Sequence, residues 1–321
     1  MKGNKKFAVL AMAFSIFGGA TTFGADESAA QADAVANAVE DALSEEAAIE
    51  YFVEEQNETE EIDHEALAKE YIPVLMYHHF KDDNTIPDGD GLLTTKDDFE
   101  EQLQYFKEQG YRIISLERLE YILNHAQRDT SLIGKGLGLD QKCLCITIDD
   151  GYYSNYEIAF PLLQKYHVPA SVFAITDYVT EQYGVKKFTW SQAWDMDRRG
   201  WLKVYSHTPR HTPVQSGEER EFLLDLRKSQ EILKEKLKRN YHVKAMSYPN
   251  GRYTEESQRA LTEDGYEMQF TIESGVITRE TPRDALPRIT VVSGMSGADI
   301  VKKIEEAAEK AFTVESEGIV E

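Results

Sequence analysis

Beyond about residue 70, short apolar runs alternate with longer segments whose apolar residues recur at helical spacing. The first such segment opens at Thr95, which is followed three positions later by an acidic residue, and it stops at Gly110. Phe99, Leu103 and Phe106 fall on one face of this segment. Each apolar run between such segments has the length of a strand. The pattern therefore predicts strands and helices in alternation.

The apolar runs predict strands at 72–78, 111–114, 143–148, 169–175, 201–205, 243–247, 267–272 and 285–292. Helices are expected between them, including one at 115–123. A long helix is expected to be capped by Ser216 together with Glu219 and to run to about Lys238. Strands that alternate with helices over some 250 residues imply a parallel sheet, and a closed β/α barrel is the commonest use of that length. We therefore expect an α/β barrel.

Charge is distributed unevenly and divides the chain into three pieces. The 57 acidic and 35 basic side chains give a net charge of −22. Residues 26–70 hold sixteen Asp or Glu and one lysine, residues 1–25 carry +3, and residues 71–321 are left with −10. No basic cluster breaks this background, so nucleic-acid binding is not expected. A hydrophobic content of 41% is enough for a buried core.

The first two pieces precede the main domain. Residues 1–25 combine a basic start, an apolar run about half as long as a membrane span and a tail of small residues, which predicts a secretory signal peptide. An uncleaved membrane anchor is the alternative. Residues 26–70 are rich in Ala and Glu and contain no Pro or Gly, as is typical of a solvated acidic spacer, with an amphipathic helix as the alternative for part of it. We expect a secreted or cell-surface monomer without an integral membrane domain once the signal is removed.

Cys143 and Cys145 are the two cysteines of the chain. Two positions apart on a strand, they point to the same face about 6.6 Å from each other, at the limit of disulfide reach. We interpret them as buried strand residues. A reactive or metal-binding pair is the alternative.

Polar residues follow four of the predicted strands, at the ends where the loops of a β/α barrel converge. The four segments are Tyr77-His78-His79, Asp149-Asp150-Gly151-Tyr152, His207-Thr208-Pro209-Arg210-His211 and Tyr248-Pro249-Asn250-Gly251. Four of the eight histidines and an adjacent pair of aspartates are concentrated at three of these ends. We therefore expect them to contribute to one site.

Asp149 and Asp150 directly follow an apolar strand and point in different directions. One carboxylate can then bind a cation while the other faces a substrate. Burying either carboxylate without a positive partner is costly, and a bound cation is one such partner. Taken alone, an Asp-Asp-Gly segment is equally typical of a turn.

His207 and His211 are four residues apart, but Pro209 between them disfavours a helix interior. A tight turn can still bring both imidazoles to one ion. Two histidines and one carboxylate leave positions open on zinc for water and substrate, as hydrolytic sites require. A pair of exposed loop histidines is the alternative.

The four segments resemble the successive motifs of the polysaccharide deacetylases, the NodB-homology or carbohydrate esterase family 4 enzymes. The similarity covers about residues 71–295 and includes weaker features at 99–115, 161–166 and 189–191, all in the family's order. It implies an irregular β/α barrel of the NodB type, with 71–321 as the catalytic domain, that removes N-acetyl groups from sugars. It also implies a divalent metal, with zinc expected first and cobalt or nickel as alternatives.

The resemblance also assigns roles to individual residues. It makes Asp150, His207 and His211 the metal ligands and Asp149 the general base that activates water. The backbone N–H of Tyr152 becomes a donor to the developing oxyanion. Amide hydrolysis requires a nucleophilic water, a stabilised oxyanion and a proton for the leaving amine, which agrees with these roles.

The source of that proton departs from much of the family. Many members use a histidine in a Leu-x-His motif near the C-terminus, whereas this chain has no histidine after His242. The branch that resembles the exported poly-N-acetylglucosamine deacetylases places its acid histidine in the first strand, and His78 matches that position. His79 is the alternative, since neighbours on a strand face opposite ways. In a third interpretation both histidines simply cap the strand.

The third motif departs as well. Many relatives have an arginine there that orients the base, whereas this chain reads Ser247-Tyr248-Pro249-Asn250-Gly251. Arg288, beside another predicted strand, is our candidate replacement, with a structural surface arginine as the alternative. Asn250 is a further candidate supporting residue. Several aromatic residues near these loops are candidates for stacking on sugar rings or for the core, namely Tyr152, Tyr153, Tyr156, Trp190, Trp194 and Tyr248.

These features together indicate an exported, metal-dependent hydrolase. Its expected substrate is N-acetylhexosamine in a cell-envelope or extracellular polysaccharide, from which it would release acetate. An esterase acting on O-acetylated polysaccharide would use the same metal site. A sugar-binding protein that has lost catalysis is the alternative outside the enzymes.

Overall fold

The strands of the fold are short and follow one another in a regular order. The computed structural model describes residues 71–83, 91–126, 142–180, 185–239 and 243–317. In chain order its strands are β1 (Val74–Tyr77), β2 (His79–Lys81), β3 (Leu93–Thr95), β4 (Arg112–Ile114), β5 (Cys143–Asp150), β6 (Ala170–Ala174), β7 (Leu202–Ser206), β8 (Ala245–Ser247), β9 (Met268–Phe270) and β10 (Ile289–Thr290). The predicted signal peptide and acidic spacer lie outside the described residues.

The helices alternate with these strands. They are α1 (Lys96–Glu108), α2 (Leu116–Ala126), α3 (Phe160–Tyr166), α4 (Trp190–Arg199), α5 (Glu219–Leu237), α6 (Glu255–Glu263) and α7 (Gly297–Glu317). A π-helical turn, Asn155–Ala159, leads into α3, and two short 3-10 turns lie at Pro249–Gly251 and Arg283–Ala285. Within the described ranges no helix is long and apolar enough to span a membrane.

A parallel sheet at the centre closes irregularly into a barrel. Its strand order is β10-β1-β5-β6-β7-β8-β9, with β4 paired to β5 outside this path. Leu286, just before β10, forms a parallel bridge with Phe270 of β9. The Leu286 N–H donates to the Gln269 carbonyl at 2.8 Å, and the Thr271 N–H donates to the Leu286 carbonyl at 2.9 Å. Since β10 also pairs with β1, residues 286–290 join the first strand to the last, and the predicted irregular β/α barrel is confirmed.

Alternation along β5 decides which side chains face the barrel interior. Leu144, Ile146 and Ile148 belong to the large apolar cluster that includes α1, α3 and α4. Cys143 and Cys145 belong to the second cluster, with Phe173, Tyr205 and Phe270 from other strands. Because the period of a strand is two residues, Thr147 and Asp149 share the interior face with the cysteines. Both cysteines are buried and free, as predicted from the apolar run.

Helix α1 begins and ends where its sequence predicts. The Thr95 hydroxyl accepts a hydrogen bond from the Asp98 N–H at 3.1 Å. Phe99, Leu103 and Phe106 are buried on one face, and Gly110 lies just beyond the helix with a φ of 75°.

Other elements differ from the sequence expectations. Ser216 does not cap the long helix, because Gly217 turns the chain with a φ of 86° and Glu218 occupies the cap position. The runs 267–272 and 285–292 yield only the short strands β9 and β10. Backbone groups that flank these two strands bond each other instead, as where the Arg288 N–H donates to the Glu273 carbonyl. The Arg288 side chain also donates from Nε to the Thr271 carbonyl. Strands β2 and β3, the π-helical turn and helix α7 were not predicted from the sequence pattern.

The contact between α7 and α1 depends on the absence of a side chain at Gly297. A Cβ there would lie 2.5 Å from Tyr105 Cβ. We expect Gly297→Ala to lower the free energy of unfolding by about 1–3 kcal/mol, because overpacking outweighs the gain in helix propensity. Urea unfolding measures the change. Gly91→Ala is the control, since its Cβ would meet nothing within 4 Å; equal stability of the two variants would contradict the prediction.

Candidate active site

The predicted site residues meet at the carboxyl ends of the parallel strands. Asp149 and Asp150 end β5, Ser247 ends β8, and His78 and His207 directly follow β1 and β7. His211 lies in the loop after β7. This loop is not helical and is held in place by the segment after β6, since the Thr176 and Asp177 N–H groups donate to the Thr208 and Pro209 carbonyls.

A buried ion pair forms the base of the site. Arg288 is fully buried and Asp149 is 2% exposed. The guanidinium binds the carboxylate through two bonds, with Nη1 2.9 Å from Oδ1 and Nη2 2.7 Å from Oδ2. This bidentate geometry is the most specific that an arginine offers to a carboxylate.

Neighbouring groups hold both members of this pair in place. Arg288 Nη2 also donates to the Ser247 hydroxyl at 2.8 Å, and that hydroxyl donates to Asp149 Oδ2 at 3.1 Å. Arg288 Nη1 reaches the Thr147 hydroxyl at 3.2 Å. The Thr147 hydroxyl in turn donates to the Leu75 carbonyl at 2.7 Å. The position of the carboxylate is therefore determined by three strands and the segment that closes the barrel.

The electrostatics of Asp149 result from two opposing effects. Burial alone would raise the pKa of its carboxyl, but the Arg288 guanidinium outweighs burial and holds the pKa well below its ordinary value. Asp149 is therefore ionised throughout the neutral range. Its carboxylate can accept a hydrogen bond or a proton without first losing a proton.

Asp150, His207 and His211 form a cluster suited to a cation. Their ligand atoms all lie within 4.8 Å of one another. Asp150 Oδ1 is 3.6 Å from His207 Nε2 and 3.7 Å from His211 Nε2. The His207 Nδ1 lies 2.8 Å from the Ser247 carbonyl, which makes Nδ1 the protonated nitrogen and leaves the Nε2 lone pair facing Asp150.

The donor set of this cluster fits a zinc-like ion. Ligands about 2.0–2.1 Å from a tetrahedral ion lie roughly 3.3 Å apart, close to the separations of Asp150 from the two histidines. Burial lowers the pKa of His207 despite the nearby carboxylates of Asp149 and Asp150, so its imidazole is neutral, as a metal ligand must be. Two imidazoles and a carboxylate leave further positions of the ion open.

The turn after β5 is part of this site. Asp150 and Gly151 have φ values of 76° and 72°, so the Asp-Asp-Gly segment is both a tight turn and the source of two site carboxylates. A Cβ at Gly151 would lie 3.1 Å from the Phe188 ring and 3.3 Å from Ala174 Cβ. Glycine is therefore required by backbone conformation and by packing. Tyr152 follows this turn directly.

His78 and His79 face different surroundings. His78 continues the interior face of β1, and its Nδ1 is buried without a hydrogen bond among the described residues. Burial lowers its pKa, opposed by the charges of Asp149 and Asp150. The His79 ring instead packs against the Tyr152 ring, with centroids 5.0 Å apart. Of the two histidines, His78 therefore has the buried nitrogen without a hydrogen bond, and the charges of both carboxylates act on it.

The remaining candidates divide between core and surface. Tyr248 is fully buried and packs against Phe222 and Tyr253, so it presents no face to a sugar ring. Asn250 is exposed in the turn after β8. Trp190 is half-buried at the start of α4, whereas Trp194 is exposed.

The sequence patterns missed Ser247, Thr147 and Lys187 as members or neighbours of the site. Thr147 lies two residues before Asp149, so the alternation of side chains along a strand could have placed both on the same face. No local pattern distinguishes the hydroxyl of Ser247 or the buried ammonium of Lys187, which lies near Asp150.

The parallel barrel holds an ionised carboxylate beside a cluster of two histidines and an aspartate. This combination defines a hydrolase-type site. The family model described as polysaccharide deacetylase matches residues 137–269. Residues 137–269 therefore carry a polysaccharide deacetylase domain.

Relatives and solved structures agree with this assignment. The chain is 29% identical over 234 residues to the YxkH protein of Bacillus subtilis, which is assigned to the polysaccharide deacetylases, covering 73% of this chain and 76% of that protein. It is 24% identical over 237 residues to the poly-beta-1,6-N-acetyl-D-glucosamine N-deacetylase of Staphylococcus epidermidis, covering 68% and 78%. The structure of IcaB from Ammonifex degensii matches with a TM-score of 0.61 and 25% identity, covering 73% of this chain and 97% of that one. The Streptococcus pyogenes deacetylase PplD shares the fold, with a TM-score of 0.62 and 24% identity, covering 73% and 98%.

The buried pair predicts a pH-dependent loss of stability in Arg288→Ala. Removing the guanidinium leaves Asp149 buried without a partner, at a cost of about 3–5 kcal/mol at pH 7. A carboxyl whose pKa is depressed by folding contributes stability above its unfolded pKa and loses it as the pH falls toward the folded value. The difference in free energy of unfolding between wild type and variant should therefore narrow below about pH 4.

Urea unfolding at pH 7 and pH 3 measures this gap. Arg227→Ala is the matched control, because Arg227 forms an ion pair with Asp264 at 2.6 Å in which the arginine side chain is 52% exposed. Such an exposed pair contributes about 1 kcal/mol or less. A similar loss in both variants, or a gap independent of pH, would contradict the interpretation of the Arg288 pair.

Proposed function

We propose that this polysaccharide deacetylase removes N-acetyl groups from N-acetylhexosamine units of an extracellular or cell-envelope polysaccharide. The observation that carries the proposal is the ionised Asp149, oriented by Arg288, beside the three-residue cluster Asp150, His207 and His211. Relatives named poly-beta-1,6-N-acetyl-D-glucosamine N-deacetylase in Staphylococcus epidermidis and Escherichia coli support the N-acetylated substrate. The basic start and apolar run of residues 1–25 support export.

In the proposed reaction Asp150, His207 and His211 would hold a divalent metal, most simply zinc. The metal would supply a Lewis acid that polarises the acetyl oxygen and makes water more acidic. The Ser247 carbonyl keeps the His207 ring oriented toward this position through its hydrogen bond to Nδ1. Such outer contacts sustain both geometry and affinity in metal sites.

Asp149 would act as the general base. It accepts a proton from water while the water oxygen bonds to the acetyl carbon, and the carbonyl electrons move to the acetyl oxygen. Arg288 and Ser247 prevent the carboxylate from rotating, so its position is settled before substrate arrives. The Tyr152 N–H would donate to the negative acetyl oxygen.

His78 would act as the general acid. In its protonated form it donates to the amine nitrogen as the carbon–nitrogen bond breaks, which yields acetate and a free amino sugar. The negative charge on the acetyl oxygen replaces the one that Asp149 loses when it takes the water proton, and together with Asp150 it favours the protonated imidazole. The proton held by Asp149 then returns through solvent to His78.

Substitution of the two histidines separates their roles. We expect His78→Gln to reduce kcat on N-acetylated chitooligosaccharides by about 10²–10⁴, the usual contribution of a general acid. An ester needs this proton less, because its leaving alkoxide is a better leaving group than an amine anion, so loss on acetylated xylan should be smaller. His79→Gln is the control and should retain most activity. A larger loss of kcat in His79→Gln than in His78→Gln would assign the general acid to His79.

Acetate release with and without zinc decides between the activities. We expect release from poly-N-acetylglucosamine, chitooligosaccharides or peptidoglycan, and its loss in Asp149→Asn. Release from acetylated xylan alone would identify an esterase. Binding of these polymers without acetate from any of them would identify a sugar-binding protein and overturn the proposal.

Zinc binding should require the three-residue cluster. We expect His207→Ala and His211→Ala each to weaken zinc at least tenfold in an equilibrium titration against a chelating dye, since each removes one of three protein ligands. His167→Asn is the control, because His167 is an exposed histidine whose φ of 54° asparagine tolerates. Unchanged affinity in both cluster variants would place the metal elsewhere.

A further inference from the structure

A short antiparallel ribbon supports the turn that carries Asp150. Lys187 and Tyr152 form an antiparallel bridge. On either side of it, the Phe188 N–H donates to the Gly151 carbonyl at 3.2 Å and the Tyr153 N–H donates to the Lys186 carbonyl at 2.8 Å. Two consecutive lysines therefore lie along two consecutive tyrosines.

Each lysine stacks on one tyrosine of this ribbon. Lys187 Nζ lies 3.4 Å from the centroid of the Tyr152 ring, and Lys186 Nζ lies 3.5 Å from that of Tyr153. Their exposure differs, since Lys186 is exposed and Lys187 is 8% exposed. The same lysine–tyrosine contact therefore occurs once in solvent and once buried, on the tyrosine two residues after Asp150.

The contacts of the Lys187 ammonium offset only part of the cost of burying it. Within the described part of the chain it forms no hydrogen bond or ion pair, and its closest partner is the Tyr152 ring. A desolvated cation–π contact stabilises an ammonium by less than its burial costs. Burial accordingly lowers the pKa of Lys187 to about 8, although the charge of Asp150 opposes this shift. At neutral pH the ammonium still carries its charge.

We infer that Lys187 is a positioning residue of the proposed deacetylation: stacked on Tyr152 and close to Asp150, it supplies a fixed positive charge on the side of the site where the acetyl oxygen becomes negative. This inference rests on the proposed function. A preoriented charge in a site with little water stabilises developing charge more than it would in solution. Stacking also holds Tyr152, whose N–H is the proposed donor to the same oxygen.

A fixed cation beside the metal position has a second consequence. It repels a divalent cation held by Asp150, His207 and His211, because like charges interact strongly across a buried site. Lys187 therefore opposes metal binding while it favours turnover. A residue with a purely structural role would support both or neither.

The test compares Lys187→Met with the matched control Lys186→Met in the full chain. For Lys187→Met we expect kcat on N-acetylated chitooligosaccharides to fall about tenfold or more, with KM changed less than about threefold. We also expect zinc to bind at least about threefold more tightly in the dye titration. Lys186→Met should change neither quantity, and Lys187→Arg should recover part of kcat and restore the weaker zinc binding.

Two results would overturn the inference. One is wild-type behaviour of Lys187→Met in both measurements. The other is a parallel loss of turnover and zinc affinity, which marks a structural role. If Lys187→Met does not fold, Lys187→Gln is compared with Lys187→Arg in the same two assays. Absence of acetate release by the wild type from every substrate would instead refute the proposed function, while the zinc titration would still decide the electrostatic effect.

Discussion

The site depends on one buried ion pair, between Arg288 and Asp149. Its two short bonds offset the burial of both charges and keep the carboxylate ionised and immobile. Arg288 also binds the Thr271 carbonyl and the hydroxyls of Thr147 and Ser247, so one guanidinium connects the inner face of the barrel to the segment that closes it. Closure of the barrel and orientation of the proposed base are therefore one structural requirement.

The chemistry of the site follows from unequal environments of similar groups. Asp149 and Asp150 are neighbours in sequence, yet one faces Arg288 and the other faces two imidazoles. Lys186 and Lys187 both stack on tyrosines, yet only Lys187 is buried near the carboxylates. Alternation of side chains along a short ribbon or strand is enough to separate such neighbours into different roles.

Sequence reasoning predicted those elements whose signals are local. The capped and periodic segment of α1 and the apolar run of β5 lie where expected, because capping and burial patterns act within a few residues. The cap of α5 at Ser216 was predicted wrongly, since Gly217 turns the chain and leaves Glu218 in that position. The ends of β9 and β10 were also predicted wrongly, because backbone groups beside these two strands bond each other and, at Thr271, the Arg288 side chain.

The sequence by itself determined the alternation of strands and helices, and it identified the motif residues that resemble those of the polysaccharide deacetylases. Periodicity and motif spacing are properties of nearby residues, so no tertiary information was needed. Only the tertiary structure decided that Arg288 meets Asp149 across 139 positions, that Tyr248 is core, and that Lys187 is buried against the Tyr152 ring. These outcomes depend on how strands from distant parts of the chain converge, which no local pattern encodes.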